Sequence, residues 1–222
     1  MMFWDWELTA EIWPLLAEAS LVTIQATLLG FCLAAALGLL FAIGRMYGPR
    51  WLSVPLAGLI EFIRSTPLLI QIFFVYFVFP EFGVVLDAMT AGVLALGVHY
   101  ATYASEVYRA GLANVPRGQW EASVALNLSP YHTFRDVIIP QAIPPVVPAL
   151  GNYLVALFKE TPLLSAIGVL ELMQTAKIVG SDTFRYTEPI TLVGLIFLVF
   201  SIVAAGLIRY LEHRLNRRVT RP

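Results

Sequence analysis

Long apolar stretches separated by short polar links set the pattern of this chain. Crossing roughly 30 Å of hydrocarbon takes about 20 helical residues, and five stretches qualify. The first, Leu21 to Gly44, contains no charged residue. The second, about Leu52 to Phe79, carries Glu61 and Arg64 in its first half. The third, about Ala88 to Leu112, is uncharged until Glu106. The fourth covers Ile143 to about Ile167 and is interrupted by Lys159 and Glu160. The fifth is Pro189 to Ile208. Pro140, Pro144, Pro145 and Pro148 crowd the start of the fourth. Proline suits a first helical turn, where its missing N–H had no partner anyway, so this helix is expected to begin near Pro145 or Pro148. The stretch from Trp4 to Ala19 mixes Trp, Leu and acids, and is expected to lie at the outer interface as a Trp-anchored helix.

Composition agrees with an all-α integral membrane protein. Of the 222 residues 59% are hydrophobic and 13% charged, with mean hydropathy +0.76, whereas a soluble domain carries about 25% charged residues. An ordinary soluble enzyme, a disordered chain and a basic nucleic-acid binder are excluded. The single cysteine, Cys32, allows no intrachain disulfide and no cysteine-based zinc site. The net charge of −1 hides a segregation along the chain. Arg45 and Arg50 follow the first stretch; Arg109, Arg117 and Arg135 surround the link after the third; Arg209, Arg214, Arg217, Arg218 and Arg221 follow the fifth. These are ten of the fourteen Lys and Arg, against Lys177 and Arg185 alone in the alternate segments. The positive-inside rule then predicts an outside N-terminus and a cytoplasmic C-terminus, as five crossings require. The first apolar run is too long for a signal-peptide core and lacks a basic flank before it. The expected divisions are an extracytoplasmic segment 1–20, a five-span domain 21–210 and a cytoplasmic basic tail 211–222.

Catalytic constellations are missing. No Gly-Lys-Ser or Gly-Lys-Thr occurs, so the chain has no phosphate-binding P-loop and is not expected to hydrolyse ATP; no Gly-x-Ser-x-Gly or His-Glu-x-x-His occurs either. His99, His132 and His213 are scattered. An intramembrane hydrolase would have only His99 and Glu106 to offer, and His99 reads better as a packed helix residue. No metal site and no cofactor is expected on this chain.

The informative polar segment is the link between the third and fourth stretches, about 113–141. Pro116 and Gly118 punctuate its start, Gln119 to Leu126 reads as a short helix, and Ser129-Pro130 reads as an N-cap followed by proline at the first helical position. By composition alone it is an amphipathic link beneath the headgroups. Glu121-Ala122-Ser123, Asn127 and Ile138-Ile139-Pro140 nevertheless resemble the coupling loop of the membrane subunits of bacterial ATP-binding-cassette importers. In that family the pattern is Glu-Ala-Ala, a glycine four positions later and a distal Ile-x-Leu-Pro. Ser123 replaces the second alanine and Asn127 the glycine, and Asn is the next-best residue for a left-handed backbone. The strings Glu61-Phe-Ile-Arg-Ser-Thr-Pro-Leu-Leu-Ile-Gln71, Tyr103-Ala-Ser-Glu-Val-Tyr-Arg-Ala-Gly111 and Lys159-Glu-Thr-Pro-Leu-Leu-Ser165 look like the polar-amino-acid permease branch. Val115-Pro-Arg-Gly-Gln-Trp-Glu121 and Pro140-Gln-Ala-Ile-Pro-Pro145 look most like permease subunits for ectoine and hydroxyectoine.

The resemblance implies a type I importer permease fold in the bacterial cytoplasmic membrane. It also implies a cytoplasmic ATPase dimer holding ATP and Mg, a second permease subunit (identical or homologous) and an external solute-binding protein. Gln119, Glu121, Ala122, Ser123 and Asn127 would form the ATPase-coupling site, with Glu121 pairing to a basic residue and Ala122 and Ser123 allowing close approach. Independently of it, intramembrane polar residues are costly and mark pairs or paths. Glu61 and Arg64, three apart, are expected to form an ion pair. Lys159 and Glu160 cannot share a face, so at least one must reach another helix. Tyr100, Tyr103 and Glu106 stripe the third helix, and Gln71, Asn152 and Thr161 complete the candidate path. The main reading is an importer subunit for a small zwitterion, ectoine foremost, with polar amino acids as the alternative solutes. The rival class is a non-transport scaffold or assembly factor.

Overall fold

The computed structural model describes residues 4–219, with side chains through 215. Arg221 and the side chains of Arg217 and Arg218, part of the expected basic tail, lie outside the described residues. Every described element is helical. Helix α1 spans Trp6–Tyr47, 42 residues or about 63 Å at 1.5 Å per residue. The expected interfacial helix is therefore no separate element but the first third of α1. Its Ile12, Leu16 and Ala19 are buried against Leu172, Ala176 and Val179 of α8 (Leu172–Thr183) and Leu192 and Val193 of α9 (Thr187–Val219). Polar side chains survive inside α1 because each hydroxyl bonds back along the helix: Ser20 to Leu16 O at 2.7 Å, Thr27 to Thr23 O at 2.8 Å.

The second apolar stretch is broken. Helix α2 (Arg50–Arg64) stops, and α3 (Leu68–Phe73) leaves at 105° to it, continuing through a π-helical turn (Phe74–Val78) and a 3₁₀ turn (Phe79–Phe82). Pro67 is the cause. It has no N–H to give the carbonyl of Ile63, four residues back, and it disfavours helical backbone in the residue before it.

Helix α4 (Ala88–Ala113) starts at Asp87, whose carboxylate accepts the Thr90 N–H at 3.0 Å. The two short helices expected in the link after the third stretch are α5 (Arg117–Ala125) and α6 (Pro130–His132), which Ser129 caps. The fourth helix does not wait for Pro145. The chain runs without interruption from α6 through a π-helical stretch (Thr133–Ile138) into α7 (Ile139–Glu160) and a 3₁₀ extension (Thr161–Ile167). Pro140 withholds a donor from the carbonyl of residue 136, and the wide π turns sit at that point, where the usual helical bond cannot form. Helix α8 was not foreseen. Its N-cap, Glu171, is fully buried, accepting the N–H groups of Met173 at 2.9 Å and Gln174 at 2.8 Å, while burial pushes its carboxyl up to about 6.

By length and apolarity, Trp6–Tyr47, Pro130–Ile167 and Thr187–Leu215 are able to cross a bilayer, and the bent pair Arg50–Arg64 with Leu68–Phe82 would add a fourth crossing. The remaining expected span, α4, is long enough at 26 residues but richer in small and polar side chains. Position explains this. It packs against α1, α2, α3 and α7, burying Ala91, Gly92, Ala95, Leu96, Thr102 and Ser105 among others. A helix sheathed by protein needs small residues for close approach more than it needs apolarity.

The α1–α4 seam brings backbone close to backbone. A Cβ on Gly38 would stand 2.6 Å from the Ala104 Cβ and 2.9 Å from the Ala101 carbonyl oxygen. Backbone cannot step aside, so Gly38→Ala is expected to cost about 1–3 kcal/mol and to lower the thermal unfolding midpoint in detergent. Gly58→Ala, which meets nothing within 4 Å, serves as the comparison and should keep or raise that midpoint. Equal midpoints for the two variants would show that α1 and α4 do not meet this closely.

Candidate functional site

The break at Pro67 leaves the Ile63 carbonyl without its helical donor, and that carbonyl accepts instead from the Thr66 N–H at 3.3 Å, the Thr66 hydroxyl at 3.0 Å and, most closely, the Gln71 amide. Gln71 Nε2 donates to Ile63 O at 2.7 Å, to Thr66 O at 3.1 Å and to Thr66 Oγ1 at 2.7 Å. Its Oε1 meets His99 Nδ1 at 3.1 Å, tying the break to α4. Gln71 therefore leaves the candidate path. All its polar atoms are committed to the backbone and to His99.

Arg64, the last residue of α2, is freed to point across the chain. Its guanidinium lies 5.2 Å from the centroid of the Tyr103 ring and its Nη1 is 4.0 Å from Glu106 Oε1. The expected Glu61–Arg64 pair is not formed. Glu61 is exposed, and Glu106 is the better-held acceptor, gripped by Arg45 from α1 and by both Nε and Nη2 of Arg109 at 3.2 and 3.1 Å. Glu106 is thus the hub of a three-arginine cluster rather than one rung of a solute-facing stripe.

Between the break, α4 and the end of α7 lies an open cleft of about 450 Å³. Arg64, Ser65, Thr66, His99, Tyr103 and Glu160 are its polar lining, with Pro67, Leu68, Leu69 and Leu163 completing it. Behind it His99, Tyr100, Tyr103 and Tyr153 form a contiguous aromatic set with centroids 5.4–6.2 Å apart. The cleft holds one full cation, one full anion and an aromatic face, a combination suited to a molecule carrying both charges. A larger cavity, about 560 Å³, fills the angle between α2 and α3. Apart from Thr66 and Gln71, both engaged in the break, its lining is apolar, including Leu59, Phe62, Ile70, Phe74 and Val98.

Of the sequence candidates, Arg64, Tyr103 and Glu160 meet in the cleft, with Tyr100 buried behind Tyr103. Asn152 is exposed and lies outside its lining. Thr161 is fully buried, its hydroxyl donating to Phe158 O at 2.7 Å, so it serves the helix and not a path. Lys159 points away from Glu160 into a separate cavity between α7 and α9. His99 is expected from the sequence to be a packed residue. It is packed, and it also lines the cleft. Arg45 and Tyr153 were missed, because nothing in their local sequence reveals partners on other helices.

The loop is anchored on one side and open on the other. Trp120 stacks edge-on against Phe134 at 5.3 Å, and both pack against Val115, Ile138 and Ala142. Ser123 is buried, its hydroxyl donating to Gln119 O at 2.8 Å, so it cannot lie at a partner surface as expected. Gln119 and Gln141 side chains meet at 3.3 Å. Glu121 and Ala122 are exposed, beside Val124 (78% exposed) and Leu126 (73%). Asn127 takes φ +51°, with its N–H on Val124 O at 2.9 Å and the Leu128 N–H on Ser123 O at 3.0 Å. That is a Schellman ending, and it turns the chain toward the Ser129 cap.

Residues 34–217 match the family described as "Binding-protein-dependent transport system inner membrane component". The chain is 48% identical over 208 residues to the probable amino-acid ABC transporter permease protein y4tG of Sinorhizobium fredii, covering 94% of this chain and 90% of that one. It is 34% identical over 222 residues to the L-cystine transport system permease protein TcyB of Bacillus subtilis, covering 97% and 93%. The crystal structure of an amino acid ABC transporter with histidines superposes with a TM-score of 0.90 at 34% identity, covering 96% of this chain and 100% of that chain.

The left-handed turn at Asn127 gives a direct check of the loop. Glycine adopts that backbone freely, whereas a β-branched residue there costs about 1–2 kcal/mol. In detergent-solubilised protein, Asn127→Gly should leave protease cleavage of the 113–141 loop unchanged or slower, and Asn127→Val should speed it. Identical cleavage of both would mean that this turn does not hold the loop.

Proposed function

The chain belongs to the family of inner membrane components of binding-protein-dependent transport systems, and from that premise we propose that it is the permease subunit of an ATP-driven importer for polar amino acids. The observation that carries the solute class is the cleft, where Arg64 and Glu160 present opposite charges beside the Tyr103 ring. An amino acid brings a carboxylate to the guanidinium and an ammonium to the carboxylate, and the two site charges cancel. The relatives named above are described by amino acids or cystine and none of them by ectoine. The wider solute class is therefore preferred to the ectoine reading of the narrower sequence strings.

In this reading the chain crosses the membrane five times, with α4 as the protein-sheathed crossing. The N-terminus is outside and the tail inside, a reading supported by the distribution of Lys and Arg. Two permease subunits enclose the path, an external binding protein delivers solute, and ATP with Mg resides on a cytoplasmic ATPase dimer. The exposed Glu121, Ala122 and Val124 of α5 and Leu126 at its C-terminal cap face that ATPase, and ATPase closure moves the helices around the cleft. A scaffold or assembly factor would need neither a charged cleft nor an apolar loop tip held out from its own core.

Uptake by the assembled system decides the matter. A lost charge-assisted contact of about 1.5–3 kcal/mol corresponds to roughly tenfold or more. Arg64→Gln and Glu160→Gln are each expected to reduce uptake of labelled glutamine, histidine or cystine by that factor, while Arg64→Lys retains a larger share. Undiminished uptake in both neutral variants would remove the cleft from the path. Preferential uptake of ectoine by the parent protein would restore the narrower solute.

A further inference from the structure

The far end of α9 carries charge that neither the cleft nor the loop uses. Arg209, Tyr210, His213 and Arg214 line an open groove of about 470 Å³, and all four are exposed. Four-residue spacing sets Arg209 beside His213 and Tyr210 beside Arg214, so the four share one helical face. The Arg214 guanidinium lies 4.9 Å from the centroid of the Tyr210 ring, and His213 Nδ1 donates to Arg209 O at 3.1 Å. Among the described residues neither arginine has an ion pair. Glu212, three residues from Arg209, is the only acid after Glu188. The sequence from Arg209 onward sets five arginines against it.

Depth decides what meets this groove. Thr187–Leu215 is long and apolar enough to cross a bilayer, and the stretch from Pro189 to Ile208 already covers about 30 Å of hydrocarbon. The headgroup layer adds about 5–7 Å beyond that, and the step from Arg209 to Arg214 advances about 7.5 Å along the helix. The groove therefore stands at the level of lipid phosphates. Val203, Leu207, Tyr210 and Arg214 follow one another at i, i+4, i+7 and i+11, an exposed line that is apolar in the span and cationic at its end. A phospholipid has the matching order, acyl chains first and then phosphate.

We propose that this groove binds the phosphate of an anionic phospholipid, in the leaflet on the C-terminal side of α9. The guanidinium groups of Arg209 and Arg214 offer paired N–H donors in the planar arrangement that phosphate accepts bidentately. The Tyr210 ring steadies the Arg214 guanidinium and is itself suited to the interface. A zwitterionic headgroup brings its own cation and gains less, whereas a headgroup of net negative charge keeps the full attraction. The groove is separate from the cleft, and its ligand does not depend on which solute is carried.

Fluorescence quenching in nanodiscs tests this. A dye is placed on Leu211→Cys, an exposed position beside the groove, in a Cys32→Ser chain that lacks the exposed native thiol. The labelled chain is assembled with its ATPase subunit in phosphatidylcholine nanodiscs. Doxyl-labelled phosphatidylglycerol is expected to quench at a several-fold lower mole fraction than doxyl-labelled phosphatidylcholine. One arginine beside an anionic headgroup is worth about fivefold. Arg214→Gln should therefore raise the mole fraction of phosphatidylglycerol needed by about that factor, and Arg209→Gln added to it should raise it further. Arg214→Lys keeps the charge and should shift it less. Arg50→Gln, which removes an exposed arginine at the start of α2, should leave it unchanged. Equal quenching by the two lipids in the parent protein, or an equal shift from Arg50→Gln, overturns the site. A shift in Arg214→Lys as large as that in Arg214→Gln overturns its electrostatic basis. Relief of quenching by excess inorganic phosphate would make this a free-anion site and overturn the lipid. A lipid preference that emerges only after the ATPase subunit is stripped away would assign the groove to that subunit instead.

Discussion

A helix that stops inside a membrane must dispose of the backbone groups it leaves unpaired, because lipid offers them nothing. Pro67 imposes this condition on the second apolar stretch; Thr66 meets part of it by donating to Ile63 O, and Gln71 adds the shortest bond to Ile63 O and the only one to Thr66 O found among the described residues. Much else depends on that bond. The 105° turn between α2 and α3 frees Arg64 to reach over Tyr103. It opens the apolar hollow on one side of the bend and the charged cleft on the other, and through His99 it is tied to α4. One amide side chain joins a backbone defect to the charged cleft beside it.

The charges beside the cleft are arranged with the same economy. Glu106 draws together Arg45 from α1, Arg109 from its own helix and, at the edge of the group, Arg64 from α2. Arg45 also stands in the last turn of α1, where a cation suits the negative end of the helix dipole. Because Glu106 is already engaged by two closer guanidiniums, Arg64 is the least committed of the three and the one that lines the cleft. Glu160, across the cleft, has no ion pair within the chain among the described residues. The cleft therefore presents one available charge of each sign.

The sequence was most informative where a single local signal decided the structure. The apolar runs located the long helices, Ser129-Pro130 located a cap, and Asn127 marked the left-handed turn that glycine would otherwise fill. It was least informative where partners come from distant helices. Spacing suggested a Glu61–Arg64 pair, but the arginine turns to the Tyr103 ring and the edge of the Glu106 cluster on another helix. Thr161 and Gln71 looked like path residues by polarity, yet both satisfy backbone carbonyls nearby. Helix α8 was missed because its polar sequence resembles a link, while its existence depends on burying Leu172 and Ala176 against α1. The interfacial segment merged with α1 for the same reason: α8 and α9 cover a face that was expected to meet headgroups.

The central claim, that Gln71 holds the break and thereby the cleft, is open to a distance measurement. Spin labels at Val54 on α2 and Val85 beyond the α3 segment, both exposed, report the angle between the two arms in a Cys32→Ser background. The parent protein should give a single narrow distance distribution. In Gln71→Leu, which leaves the Ile63 carbonyl without its side-chain amide donor, the distribution should broaden or shift. An unchanged narrow distribution in Gln71→Leu would show that the bend stands without Gln71, and would contradict the account.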